Sequence, residues 1–181
     1  MGKKYSSLNN KLIEFIKKQH IYFVSTAPIA GRINLSPKGM DTLRVINENQ
    51  VVWLNLTGSG NETAAHLLED QRLTMMFCAF AGTPMILRLY GKAHAIAPDD
   101  VNWEDCANHF PPLAGARQVI VLNVDLVQTS CGMAVPLYDF VEQRDQLDEW
   151  AKKKGPAGIK AYWQEKNVES LDGKPTGIIR D

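Results

Sequence analysis

The side chains best suited to chemistry fall in two short runs. The first, Arg32-Ile33-Asn34-Leu35-Ser36-Pro37-Lys38-Gly39, alternates polar and apolar residues and ends on a base at a turn. The second, Thr57-Gly58-Ser59-Gly60-Asn61-Glu62-Thr63, gathers hydroxyls and an amide on a glycine-rich loop that leads into Ala64-Ala65-His66-Leu67-Leu68. A helix starting there has first-turn amides without partners in the helix, and its dipole adds fractional positive charge, so its end suits an anion. Two readings of the loop stand side by side. In one, Thr57, Ser59, Asn61 and Thr63 cradle a phosphate, with charge from Lys38 or Arg32; in the other, the loop is an ordinary strand-to-helix turn, where glycine and serine are the usual residues. Gly58-x-Gly60-x-x-Thr63 lacks the third glycine of a dinucleotide fingerprint, and no Gly-Lys-Ser/Thr follows as in a P-loop.

The elements that must hold these runs can be read from periodicity. Strand alternation sets Ile33 and Leu35 on one side, expected to face a core, and Arg32, Asn34 and Ser36 on the other, expected to face a polar partner. Ser59-x-x-Glu62 has capping-box spacing, so a helix is expected from Ser59 or Asn61, with Ala64, Leu67 and Leu68 buried. In the stretch 85–96, Arg88, Tyr90, Lys92 and His94 share one side, a second candidate lining, opposite Leu87, Leu89 and Ala93. The nearly unbroken apolar stretch 73–80 suggests a strand buried on both faces. Further strands are expected at 21–27, 42–46, 51–57 and 118–126. Amphipathic helices are expected at 8–19, then from Asp99 as cap through Val101, Ala107 and Phe110, and at 140–154, stopped by Gly155-Pro156. Another helix carries Ile159, Tyr162 and Trp163, and a polar tail starts at Asp172. Strands joined by tight turns, with few helices between them, predict a mainly antiparallel sheet, closed or nearly closed, with flanking helices.

A chain of 181 residues, 45% hydrophobic, supports one core rather than two. Its 20 basic and 20 acidic residues cancel, which argues against nucleic acid or an anionic membrane as a partner. No apolar run approaches the ~20 residues of a membrane span, and the expected location is the cytoplasm. Cys78, Cys106 and Cys131 form no Cys-x-x-Cys and read as reduced thiols, Cys131 as a packing residue among apolar neighbours. His20, His66, His94 and His109 lack zinc-site spacing, so no metal is expected.

The order of strand, Ser36-Pro37-Lys38-Gly39, strand, Thr57-Gly58-Ser59-Gly60-Asn61-Glu62-Thr63, helix, apolar strand and Leu87-Arg88-Leu89-Tyr90-Gly91-Lys92-Ala93 resembles the pyridoxamine 5'-phosphate oxidase-like family of flavin-binding split barrels. The resemblance covers roughly residues 10–128. It implies a six-stranded antiparallel split β-barrel over residues 1–130, a C-terminal helical extension over 131–181 lying on the barrel or on a partner, and a homodimer with one FMN in each interface cleft. It also implies cofactor-binding roles for Arg32, Asn34, Ser36, Lys38, Thr57, Ser59, Asn61 and Thr63, and Arg88, from the second polar row, is expected to join Asn34 in tuning the flavin ring. The chain departs from the oxidase proper twice: Glu62-Thr63 replaces an arginine-lysine pair at the helix start, and the tail lacks the tryptophan and arginine that grip pyridoxal phosphate. Vitamin B6 oxidation is therefore not expected. The implied function is an FMN-dependent oxidoreductase acting between a nicotinamide donor and a small acceptor. The alternatives are a split-barrel protein that binds flavin or haem without turnover, and a deazaflavin-dependent reductase.

Overall fold

The computed structural model describes residues 2–179. In chain order the elements are β1 (Lys3–Tyr5), α1 (Asn10–Lys17), β2 (Tyr22–Thr26), β3 (Asn34–Lys38), β4 (Leu43–Asn47), β5 (Gln50–Leu56), α2 (Glu62–Glu69), β6 (Arg72–Cys78), β7 (Ile86–Ile96), α3 (Trp103–Ala107), β8 (Ala116–Ser130) and α4 (Gln146–Lys166). Eight strands, not six, form one antiparallel sheet in the order β3-β2-β6-β7-β8-β5-β4, with β1 paired alongside β8. The two edges, β3 and β4, curl toward each other across a seam. There Lys38 of β3 lies over the Trp53 ring of β5, and the Tyr22 hydroxyl meets Thr42 Oγ1 at 3.0 Å. The barrel is split and stays open at this seam. Lys3-Lys4-Tyr5 is too short and too polar for its pairing with β8 to show in periodicity.

The interior is filled by Tyr22, Val24, Met75, Phe77, Leu87, Leu89, Ile120 and Leu122, and α1 closes one end with Leu12 and Ile16. Burying each of those two is worth roughly 1.5–3 kcal/mol. The Asn9 carboxamide oxygen caps α1 by accepting the Leu12 N–H at 3.1 Å. Burial on both faces belongs to β5 and β8 rather than to β6. Outside the barrel Val52, Leu54, Val119 and Val121 form a second cluster with Ile96 and Phe110, whereas β6 alternates and leaves Thr74 and Met76 half-buried. At the break in register between β7 and β8, a Cβ on Gly91 would lie 1.9 Å from the Asn123 carbonyl oxygen, so only glycine fits.

Two helical expectations are corrected, while the expected stop at Gly155-Pro156 is found. α3 is one short turn that follows Asn102 rather than Asp99 and has no side-chain cap, and Val101 is exposed because the turn rests on the sheet only through its far side. Residues 131–145 carry no helix. There the arm is held to the barrel by rings: Phe140 stacks on His20 with centroids 3.7 Å apart, and Tyr138 tilts against Phe80 at 5.6 Å. α4 then starts at Gln146 and breaks at Gly155, whose φ of 65° and ψ of 171° no helix tolerates. Among the described residues no helix is long and apolar enough to cross a membrane.

Candidate functional site

β3 carries Asn34, Ser36 and Lys38 on the side that pairs with Thr26, Val24 and Tyr22 of β2, which is the interior of the barrel. The alternation was legible, but its faces are reversed from the sequence expectation. The polar residues point inward, while Ile33 and Leu35 are 74% and 64% exposed. Asn34 Nδ2 donates to Thr63 Oγ1 at 3.3 Å, and Ser36 Oγ donates to Asn34 Oδ1 at 3.0 Å. These bonds tie the strand to the first turn of α2.

Lys38 ends the row with its Nζ 4.8 Å from the centre of the Trp53 ring. Burial, and then the nearby Arg117 guanidinium, pull its pKa from 10.5 to about 8. Arg117, at the start of β8, is 3% exposed. It donates to Gly60 O at 3.0 Å, Asn167 Oδ1 at 2.7 Å and Asn55 Oδ1 at 3.4 Å, all neutral acceptors, and its Nε has no partner. Desolvation pulls its pKa to about 10. Asn61, 2% exposed, accepts from Asn55 Nδ2 at 3.3 Å and leaves its own Nδ2 unpartnered. A buried cation and a buried amide donor thus meet beneath one loop, with Lys38 close enough to Arg117 to act on it electrostatically, and among the described residues neither cation forms an ion pair. Buried charge is normally paired or bound to something, so this arrangement suits an anion.

The other candidates serve differently. The Thr57 hydroxyl is fully engaged, donating to Gly115 O at 2.9 Å and accepting from Trp163 Nε1 at 2.8 Å. Ser59 is exposed at the loop tip. Arg32 lies before β3 and is ion-paired with Asp172, which also accepts the Arg32 N–H at 2.7 Å. That backbone bond, ahead of the guanidinium, holds the Asp172 carboxyl below the usual carboxylate range. Arg88 stands on the opposite face of the sheet and donates to Ser130 Oγ at 3.1 Å. The capping box is not formed. Asn61 makes no side-chain cap, and the Glu62 carboxylate turns outward to accept the Leu171 N–H at 3.0 and 3.1 Å. Leu68 is 63% exposed, and His66 is buried in its place, its Nδ1 3.0 Å from Thr26 Oγ1.

The C-terminal segment lies on its own barrel. Asn167 joins Arg117 to Gly58 O, Leu171 meets Glu62, and Lys174 pairs with Glu69, so a strap follows α2 along its length. Residues 8–131 match the family model described as pyridoxamine 5'-phosphate oxidase. The chain belongs to this family. A relative, the pyridoxamine 5'-phosphate oxidase family protein ustO of Aspergillus flavus, is 36% identical over 189 residues, covering 94% of this chain and 76% of that one. Two solved structures share the fold. HupZ of Group A Streptococcus superposes with a TM-score of 0.53 at 15% identity, covering 66% of this chain and 91% of that one. A Lactobacillus delbrueckii protein bearing the oxidase family's name gives 0.53 at 17% identity, covering 68% and 94%. The family match takes in β3, the loop and Arg117, while the strap lies beyond it.

Arg117, Asn55, Gln118 and Asn167 were not singled out by sequence reasoning. The available signal was a base and an amide, Arg117-Gln118, heading an apolar strand with no acid nearby. A groove of about 2010 Å³ leads from Lys38 past Phe15, Phe80 and Phe140 to Cys131. Cys131 is exposed rather than packed, because Gly132 turns the chain out of β8 at φ 65°. The Met133 amide leads the groups that hold its thiol below the usual cysteine value, whereas burial pushes Cys78 and Cys106 up. A thiol reagent added to the native protein should therefore label one cysteine in a fast phase. Cys131→Ser should remove that phase without changing flavin binding; a fast phase that survives the substitution would refute the assignment.

Proposed function

We propose that this chain is an FMN-binding oxidoreductase passing a hydride or electrons between a nicotinamide donor and a small acceptor, with residues 1–130 as the flavin-binding unit. The observation that carries the reading is a set of unneutralised donors: Asn61 Nδ2 and the buried Arg117 at the loop before α2, and Lys38 Nζ at the end of β3, close enough to Arg117 for the two charges to interact. A phosphomonoester fits this chemistry, and FMN is a flavin that ends in one. When bound, FMN supplies the hydride and electron chemistry. The chain's own residues do the rest. Lys38 and Asn61 hold the phosphate, Ser36, Asn34 and Thr63 line its approach, and Thr57 braces the loop against Gly115 and Trp163. The groove beyond Lys38 exceeds the ~300–1,000 Å³ of ordinary ligand pockets, leaving room for a second reactant beside the ring.

The outer face of β3, β2, β6 and β7 presents the exposed Leu35 with the half-buried Phe23, Met76, Tyr90 and Arg88. We assign this face to a homodimer, in which Arg88 serves the cleft shared with the second subunit. Three free thiols suit a reducing compartment such as the cytoplasm.

FMN added to the protein and passed through a desalting column should remain, one per chain, and bleach under an anaerobic nicotinamide donor. Riboflavin should wash away. If no flavin is retained at any added concentration, the reading fails. The pH dependence has a definite sign. As pH rises above about 8, Lys38 sheds its proton in the free protein, so FMN affinity should fall between pH 7 and 9.5. Lys38→Arg should flatten that fall, since a guanidinium stays charged. The same group acts on stability in the opposite sense. Between about pH 8 and 10.5 the unfolded chain keeps a proton that the folded chain has lost, so this lysine's contribution to stability rises with pH.

A further inference from the structure

An anion site at the head of α2 needs positive charge, and Glu62 puts a carboxylate there instead. The charge nearest the loop comes from elsewhere in the sequence. Arg117, on β8, is buried beneath residues 58–61 with its charge offset by no carboxylate, and it is close enough to Lys38 to act on it electrostatically. This guanidinium is held by Gly60 O, Asn167 Oδ1 and Asn55 Oδ1 alone, and a buried charge is normally paired or bound to something.

Those bonds also set which way the loop faces. Gly60 O accepts from Arg117 Nη1, and Gly58 O accepts from Asn167 Nδ2 at 3.1 Å. A trans peptide holds its N–H opposite its C=O. Pinning these two carbonyls inward therefore turns the N–H groups of Ser59 and Asn61 outward, beside the uncapped first turn of α2. Carbonyl oxygens that would repel an anion are withdrawn, and the donors that attract it are presented. Glu62, held by the Leu171 N–H, keeps its Oε1 3.3 Å from where a Cβ on Gly60 would stand, so its negative charge remains at the loop and has to be outweighed by a cation.

We propose that Arg117 replaces, from β8, the base missing at the start of α2: it orients loop 58–61 toward a phosphomonoester dianion and supplies the positive charge beneath it. Arg117 is thus a positioning residue for phosphate recognition, acting with Lys38 and Asn61. The proposal rests on the flavin reading only for the identity of the molecule that carries the phosphate.

The test compares wild type, Arg117→Met and Asn167→Asp. The last keeps an acceptor 2.7 Å from Nη1 but makes it anionic, and it also removes the Nδ2 donor to Gly58 O, so it neutralises the guanidinium and frees half of the loop while leaving Arg117 in place. Dissociation constants are measured for FMN, riboflavin and inorganic pyrophosphate, with the melting temperature of each variant. Losing a charge-assisted contribution, each variant should bind FMN and pyrophosphate at least about 30-fold more weakly. Riboflavin binding should stay within about twofold, since it has no phosphate for the site to recognise. If FMN and riboflavin weaken in parallel, Arg117 is only a strut and the proposal is overturned. Should Arg117→Met fail to fold, Asn167→Asp decides alone. Pyrophosphate binding that is lost in the variants, in a protein that never retains FMN, would uphold the anion site and overturn the flavin reading instead. A wild-type protein that binds neither FMN nor pyrophosphate would overturn the proposal.

Discussion

Lys38→Glu is expected to weaken FMN binding by at least about 100-fold, close to 2.8 kcal/mol, and to leave the folded chain no less stable. The two halves of this result have one cause. Lys38 sits at the inner end of β3 over Trp53 and near Arg117, so two cations share a partly buried space. Burial penalises a carboxylate there as it does the ammonium, but reversing the charge turns the repulsion from Arg117 into an attraction, which offsets the lost contact with the Trp53 ring. The same reversal points a carboxylate at an incoming phosphate and removes a charge-assisted contact, for which losses of about 2–5 kcal/mol are usual in buried pairs. Titration of FMN against variant and wild type, with parallel thermal melts, separates the two effects. A dissociation constant within about threefold of wild type would remove Lys38 from the phosphate site, since even one charged hydrogen bond is worth more than that.

Trp53→Ala should have the largest effect on stability, a loss of about 3–5 kcal/mol by urea unfolding. Trp53 is 1% exposed, opposite Leu43 on one neighbouring strand and Ile120 on the other, and belongs to the main core. Truncation opens a cavity next to the seam where the sheet edges approach, a place poorly able to collapse around it. Total stabilities of about 5–15 kcal/mol make such a loss a large fraction of the whole. Trp53→Phe should cost less and preserve a ring beneath Lys38. FMN affinity should therefore fall in Trp53→Ala and largely persist in Trp53→Phe. A destabilisation below about 1 kcal/mol, the scale of a surface change, would show that the ring is not part of the core.

The sequence showed the strands, the loop and the helix around the site because alternation and glycine punctuation are local signals. It could not show which face of β3 points inward. The period of 2 groups Asn34 with Ser36 and Lys38, but a barrel with a polar pocket at one end reverses the usual assignment of apolar residues to the interior. The Ser59-x-x-Glu62 spacing was real, yet its capping bond lost to a partner 109 residues away, Leu171. Arg117 escaped notice for the same reason: its importance comes from Gly60, Asn55 and Asn167, on three other parts of the chain. The Cys131 segment looked like packing because small and apolar neighbours resemble a core until the turn at Gly132 carries them outward.

The strap also sets an order of assembly during synthesis. Thr57 waits for Trp163, 106 residues later; Glu62 waits for Leu171, 109 later; and Arg32 waits for Asp172, 140 later. At ribosomal rates of about 5–20 residues per second, the barrel strands nearest the N-terminus emerge roughly 5–28 s before the segment that fixes them. The nascent chain therefore carries an unsecured loop and an uncovered Arg117 until residues 163–171 are made. A chain stalled before residue 163 would possess the barrel and lack the contacts that secure its loop, which makes the strap the last step in forming the site.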